Sequence, residues 1–153
     1  MISICREEKT VIREVFFGKT SEQDFQVIFR CIIDVKNEKG IYRAVSECGP
    51  DLKSSTAKIS AITGLELGVS GILSGILYGL IRHKVETERQ LVAGITRATW
   101  VYESFLCRHP SHSLFNGKIY HIKKGIRSGL FKRINPGQLV GCGCMAKPMI
   151  EFK

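Results

Sequence analysis

The chain has 153 residues, 44% of them hydrophobic, which is enough for one domain, or a modest domain with an appendage, around a real core. Its 23 lysines and arginines outnumber 14 aspartates and glutamates, giving a formal net charge of +9 at pH 7. This composition argues against a disordered low-complexity chain and favours an anionic partner: nucleic acid, an acidic protein surface or anionic lipid.

Six cysteines are too few for a disulfide-dense secreted scaffold of this length. The first residues lack the basic-then-apolar order of a signal peptide, so a reducing cytoplasm is the expected compartment. Buried or metal-bound cysteines are therefore expected more than disulfides. Cys5, Cys31 and Cys48 are isolated in the sequence and are expected to pack as small apolar residues.

The N-terminal part predicts a β-hairpin. Hydrophobic and polar residues alternate over residues 24–35, which is typical of a half-buried strand. The turn-forming segment Lys36–Gly40 follows, and a second strand is expected over residues 41–48. The residues on the apolar face of the first strand are Phe25, Val27, Phe29, Cys31, Ile33 and Val35.

A glycine-striped segment follows at residues 59–81. It is uncharged from Leu67 to Ile81, and its glycines recur every three or four residues, at positions 68, 71, 75 and 79. Small residues at this spacing let helices approach closely, as in membrane helix pairs. A bilayer span needs about 20 apolar residues, however. The segment is therefore predicted to be a buried or partner-packed helix or a glycine-kinked segment, with membrane contact and an irregular loop as alternatives.

Residues 84–106 predict a helix, with Thr87 and Gln90 as a possible capping box. Beyond Pro110 the pattern indicates loops and short strands, including a strand over residues 117–122. The expected fold class is α+β, with an N-terminal β-hairpin, central helices and a small β-rich C-terminal domain held by cysteine and histidine. The expected sections are residues 1–56, 57–106 and 107–153.

The last third of the chain contains a candidate metal site. His109 and His112 are spaced like a zinc-finger pair, and Cys142 and Cys144 form a second pair. These four residues are predicted to hold one structural zinc ion, with Cys107 and His121 as alternative fourth ligands. Two other interpretations stay open: hydrogen-bonded packing in a small β-rich core, or a disulfide. No orienting third group for a Cys/His nucleophile is evident, so the sequence does not favour an enzyme.

Residues 117–133 contain no acidic residue and are predicted to contact nucleic-acid phosphates, in a salt-dependent and sequence-independent way. A solvated basic loop or one that meets an acidic partner is the alternative. The predicted contact residues are Lys118, Lys123, Lys124, Arg127, Lys132 and Arg133.

Several motifs over residues 84–150 together resemble the C-terminal domain of the phage Mu F-type minor head proteins. That family typically has an Arg-Pro-Ser-His or Cys-x-x-Cys element, an Asp-Gly-Lys turn, and then a Pro-Gly and Cys-Arg-Cys signature followed by a proline. The corresponding segments here are Trp100-Val-Tyr, His109-Pro-Ser-His112, Asn116-Gly-Lys118, Lys124-Gly125, Pro136-Gly-Gln-Leu-Val-Gly-Cys142-Gly-Cys144 and Lys147-Pro-Met-Ile150.

The resemblance implies a structural virion protein of head morphogenesis, a minor head or head–tail connector protein. The expected partners are portal or capsid protein and packaged DNA, with several copies in the virion and the host cytoplasm as the place of assembly. A phage-encoded nuclease or toxin carrying this domain is the alternative. Gly143 replaces the family's usual arginine, whose role is then lost or taken by Arg133 or Lys147, and His109 stands where many members have arginine.

Overall fold

The computed structural model describes residues 1–151, and its architecture is α+β, as the sequence predicts. The chain divides into two compact units, Met1–Ile81 and the part from Arg82 onwards. The sequence had predicted three sections instead of two. The helices are α1 (Arg6–Val15), α2 (Glu22–Lys36), α3 (Tyr42–Cys48), α4 (Leu52–Thr63) and α5 (Leu67–Val92). The other elements are β1 (Arg97–Val101), a 3-10 helix (Pro110–Phe115), β2 (Ile119–His121), β3 (Ile126–Arg127), β4 (Arg133–Ile134) and β5 (Met145–Pro148).

The predicted N-terminal β-hairpin is wrong, because residues 24–35 lie in the helix α2. Ser21 caps this helix by accepting a hydrogen bond from the Asp24 backbone N–H, and the Asp24 side chain accepts one from Ser21 in return. Ile28 and Ile32 are fully buried, although strict alternation would put them on the polar face of a strand. With Phe25, Phe29 and Val35 they form the apolar stripe of an amphipathic helix.

The second predicted strand is the helix α3, so the turn between the two segments joins helices instead of strands. The turn itself is present where the sequence places it. Gly40 adopts φ 53°, and a Cβ atom there would lie 2.9 Å from Asp34 Cγ. This position therefore requires glycine, both for its left-handed backbone and for its close approach to α2.

The uncharged part of the glycine-striped segment, Leu67–Ile81, lies in α5, in agreement with the predicted helix, whereas residues 59–63 form the end of α4. Its buried side chains are those between the glycines, and three of the four glycines have open space where a Cβ atom would be. Within residues 1–151 no single helix is long and apolar enough to cross a membrane. The bent pair of α4 and α5, which meet at a bend of 116°, has sufficient length and apolar composition only when the two helices are taken together. The buried residues of α5 are Val69, Ser70, Leu73, Ser74, Leu77, Leu80 and Ile81.

The helix predicted over residues 84–106 ends at Val92, and the chain then forms the strand β1. Gly94 ends the helix with φ 81°, a left-handed conformation that favours glycine. The predicted capping box is also wrong, because Thr87 lies inside α5 and its hydroxyl donates to the His83 carbonyl oxygen at 2.9 Å. In β1 the side chains of Ala98 and Trp100 are buried, as expected for one face of a strand.

Short antiparallel strands organise the second unit. β1 is the central strand of a three-stranded sheet in the order β2-β1-β5, with Thr99 opposite Ile119 and Trp100 opposite Ala146. The strand predicted at residues 117–122 is thus present as β2. β3 and β4 form a separate two-stranded ribbon with Ile126 opposite Ile134. Trp100, on the central strand of this sheet, contacts His112 in the segment that carries the two histidines.

A buried ion pair joins α1 to α2 in the first unit. The ammonium group of Lys36 lies 2.5 and 2.7 Å from the two carboxylate oxygens of Glu8, and these residues are only 8% and 1% exposed. Glu8 also accepts a hydrogen bond from the Cys5 backbone N–H and so closes the capping box of α1. One carboxylate therefore both caps its own helix and balances the charge on its neighbour.

Replacing Lys36 by methionine should destabilise the first unit by about 3–5 kcal/mol, because the Glu8 carboxylate would stay buried without its counter-charge. Urea denaturation followed by circular dichroism measures the change. The matched control is Arg43→Met, which removes the exposed pair of Arg43 with Glu47 on α3 and should change stability by less than about 0.5 kcal/mol. Equal stabilities of the two variants would contradict this account of the pair.

Candidate metal centre

Four side chains from two distant segments converge in the second unit: Cys107, His112, Cys142 and Cys144. Cys107 follows β1 on a turn closed by a hydrogen bond from its own N–H to the Glu103 carbonyl oxygen, 2.8 Å. His112 lies in the 3-10 helix that begins at Pro110, a residue whose fixed φ suits the first position of a helix. The two other cysteines lie in the loop that leads into β5.

The geometry of this cluster fits a tetrahedral metal site. Each residue offers one donor atom, and the four donors all lie within 4.8 Å of one another. His112 Nδ1 lies 3.5 Å from Cys107 Sγ and 3.4 Å from Cys142 Sγ. A tetrahedral zinc ion with ordinary Zn–S and Zn–N bonds requires nitrogen–sulfur separations of about 3.6 Å. Cys107, His112, Cys142 and Cys144 therefore form a buried group that could bind a metal ion.

A close backbone contact holds the two segments together. Gly143 lies against Leu106, and a Cβ atom on this glycine would come within 2.5 Å of the Leu106 Cβ and carbonyl oxygen. Next to it, the Arg108 N–H donates to the Gly141 carbonyl oxygen at 2.8 Å. Only glycine fits between the two cysteines, and this fit lets Cys107 approach both of them.

The pKa values of the three thiols are shifted in different directions. The pKa of Cys144 is lowered, chiefly by a hydrogen bond from Cys142 and also by interactions with His112, Trp100 and Cys107. The pKa of Cys142 is raised by the same hydrogen bond and by burial, and burial raises the pKa of Cys107. Hydrogen bonds within the cluster therefore favour the thiolate of Cys144 over those of the other two cysteines.

Aromatic side chains pack against the histidine of the cluster. The ring of Trp100 contacts those of His112, Phe115 and Tyr120, with centroid separations of 5.6, 4.9 and 6.0 Å. The indole N–H of Trp100 is buried beside the cluster and is one of the groups that lower the pKa of Cys144. Trp100 was not a predicted site residue, and its place beside the motif is visible only after β1 has formed.

His109, a predicted ligand, does not belong to the cluster. Its Nε2 lies 2.7 Å from the Val140 carbonyl oxygen, and since a carbonyl only accepts, this nitrogen carries the proton and donates. The ring stacks on His112 at 4.8 Å. Cys107, one of the two alternative ligands named from the sequence, takes the fourth position. The other alternative, His121, is exposed on β2.

The disulfide alternative has no counterpart among the described residues. None of the six cysteines, all of which lie in the described part of the chain, forms a disulfide. Cys142 Sγ instead accepts a hydrogen bond from the Gly137 backbone N–H at 3.2 Å, the kind of contact that orients a thiolate ligand. Of the isolated cysteines, Cys31 is buried as expected, whereas Cys5 and Cys48 are only half-buried.

The six predicted nucleic-acid contacts differ in what they do. Lys118, Lys123 and Lys124 are exposed. Arg127 and Arg133 are exposed too, but their guanidinium groups donate to backbone carbonyl oxygens of the β3–β4 region, from Arg127 to Gly129 and Leu130 and from Arg133 to Gly125. Lys132 is half-buried. The two arginines thus hold the ribbon in shape, and the three exposed lysines are predicted contacts that lie at the surface.

Comparisons of this chain with protein-family models, with curated proteins and with solved structures find no match.

Gly143→Ala should disrupt the convergence of the donors, because the new methyl group overlaps the Leu106 backbone. Metal affinity and the thermal stability of the second unit should both fall, and differential scanning calorimetry with a zinc titration measures the two effects. Gly75→Ala is the control: this exposed glycine of α5 has no atom within 4 Å of an added Cβ, and alanine there should stabilise by up to about 1 kcal/mol. Unchanged zinc binding in Gly143→Ala would contradict the close-contact argument.

Proposed function

We propose that the chain is a structural protein of a phage head, acting in head morphogenesis as a minor head or head–tail connector protein. One zinc ion holds its C-terminal unit, and the basic surface of that unit contacts packaged DNA. The observation that carries the proposal is the convergence of His112, Cys142 and Cys144 on one cluster. These three residues belong to the motifs on which the resemblance to the phage Mu F-type minor head proteins rests.

The donor set supports zinc in a structural role. Three thiols and one imidazole are ligands that zinc prefers, and four protein ligands are typical of structural sites. Catalytic zinc sites instead keep one position for water and use three protein ligands. When bound, the ion would supply cross-linking of the segments around residues 107–112 and 142–144. His109 would orient its neighbour His112 by stacking while its own donor stays on Val140.

The two surfaces of the chain support two kinds of partner. The exposed lysines of the second unit belong to a stretch, residues 117–133, that has no acidic residue, and such a basic surface suits the phosphates of DNA. The helical unit has exposed apolar side chains at Phe17, Ile62 and Leu67, which suit a contact with portal or capsid protein. Purified particles that lack the protein, together with no binding to portal protein, would contradict the assignment to the phage head.

Zinc should bind with one ion per chain, and replacement by cobalt should give the absorption of a tetrahedral thiolate site. His112→Ala and Cys144→Ser should weaken binding more than the roughly hundredfold loss that follows from changing a ligand's hydrogen-bond partner. His109→Gln should keep both the stoichiometry and the cobalt spectrum, because His109 lies outside the four donors. Metal analysis and cobalt titration measure these outcomes.

The two histidine variants also test the ligand assignment against its alternative. A lost cobalt spectrum in His109→Gln, with His112→Ala unaffected, would exchange the roles of the two rings. Cys48→Ser serves as the cysteine control, because Cys48 belongs to the helical unit and has no place in the cluster. Chains purified without chelator that contain no zinc and bind none at neutral pH would refute the metal site.

DNA binding should weaken with rising salt, and Lys123→Ala with Lys124→Ala should reduce the slope of log affinity against log salt by about two, one for each phosphate contact. The control is Lys53→Ala with Lys58→Ala on α4, which removes the same charge from the helical unit and should leave the slope unchanged. Fluorescence anisotropy with a short duplex measures both. DNA cleavage that His112→Ala abolishes without unfolding would favour the nuclease alternative instead.

A further inference from the structure

The ribbon of β3 and β4 carries an exposed apolar tip. Leu130 and Phe131 lie between the two strands of this ribbon and are 72% and 96% exposed. Exposure of a single apolar residue is ordinary, but an adjacent leucine and phenylalanine at the end of a hairpin form a protruding apolar point. Tyr120, the other aromatic residue of the basic segment, is buried and offers no ring to a partner.

The tip is held in shape by its own hairpin. The Ser128 N–H donates to the Lys132 carbonyl oxygen at 2.8 Å, which closes the loop beneath the tip. The Arg127 guanidinium donates to the carbonyl oxygens of Gly129 and Leu130 at 3.3 and 3.2 Å. Ile134, which is 1% exposed, anchors the base of the ribbon in the core of the unit. The exposed side chains of the tip are therefore presented by a hydrogen-bonded hairpin.

Positive charge surrounds this point in the sequence on both sides. Lys123 and Lys124 lie just before β3, separated from it by Gly125, and Lys132 and Arg133 directly follow the tip. A partner that accepts the tip must thus combine an apolar interior with anionic groups on either side. The base stack of DNA has this arrangement, because the bases lie between two rows of phosphates, and phenylalanine and leucine are among the side chains that proteins insert between base pairs.

We propose that Leu130 and Phe131 form a wedge that enters the base stack of DNA while the neighbouring lysines contact the phosphates on either side. This inference rests on the proposed contact with DNA and adds the way in which the ribbon engages it. Opening a base step costs least where pairing is already weakened, so a wedge prefers a mismatched step to a paired one. Phosphate contacts alone give no such preference, since both duplexes have the same number of phosphates.

The experiment measures binding of the zinc-loaded full-length protein to two labelled duplexes of equal length, one fully paired and one with a central two-base mismatch. Fluorescence anisotropy at several salt concentrations gives the affinities and the salt slope. The wild type should bind the mismatched duplex about fivefold to tenfold more tightly. Phe131→Ser should lose this preference while keeping the salt slope of the wild type.

The matched control is Phe105→Ser, because Phe105 is 97% exposed in the same unit but lies outside the ribbon. It should keep the preference of the wild type, which shows that removal of any exposed phenylalanine is not enough. In a second measurement, tryptophan fluorescence of a Phe131→Trp variant should be quenched when DNA is added, as expected for a ring stacked on bases.

The contrary results distinguish the wedge from the DNA contact itself. Salt-dependent binding with equal affinity for both duplexes, or a preference that survives in Phe131→Ser, would overturn the wedge and leave the phosphate contact intact. No salt-dependent binding to either duplex would overturn both. Binding to vesicles of phosphatidylglycerol and phosphatidylcholine that requires Phe131, with no preference between the duplexes, would assign the tip to anionic lipid and overturn the wedge.

Discussion

The second unit depends on the meeting of two chain segments, residues 107–112 and 142–144, at one cluster of sulfur and nitrogen donors. Its strands have only two to five residues each, so its sheet and ribbon bury a small apolar core. Four polar donors placed in the interior of such a unit cost free energy unless they are satisfied together. A bound metal ion would satisfy them all at once and would close the loop of some thirty residues between the two segments, which is how metals stabilise small domains.

The sequence located this cluster because metal ligands come in short local pairs, and three of its four members were predicted. The fourth member, Cys107, was named only as an alternative ligand, because the spacing of His109 and His112 suggests a pair on one helical turn. In the structure the carbonyl oxygen of Val140 accepts the proton of His109, and Cys107 comes into range through the contact of Leu106 with Gly143. Both contacts join residues more than thirty positions apart, so no local pattern reports them.

In the helical unit a local sequence pattern led to the wrong secondary structure, because it fits both a strand and a helix. Residues 24–35 satisfy both a period of two and a period of 3.6, because the segment is hydrophobic at Ile28 and Ile32 as well as at the alternating positions. The capping residues Ser21 and Asp24 favour the helix and could have decided between the two. Beyond Val92 the helical pattern continues in the sequence, but Gly94 adopts a left-handed conformation and ends the helix. Trp100 then lies in the strand β1.

Gly143 connects the local geometry with the resemblance to the minor head proteins, which typically have arginine at the corresponding position. In this chain any side chain there would overlap Leu106, so an arginine would require Leu106, the neighbour of Cys107, to move. Of the two residues that could take over its charge, Arg133 already donates to the Gly125 carbonyl oxygen, whereas Lys147 is exposed on β5. Close packing of Gly143 against Leu106 therefore leaves no room for a side chain between the two cysteines of this chain.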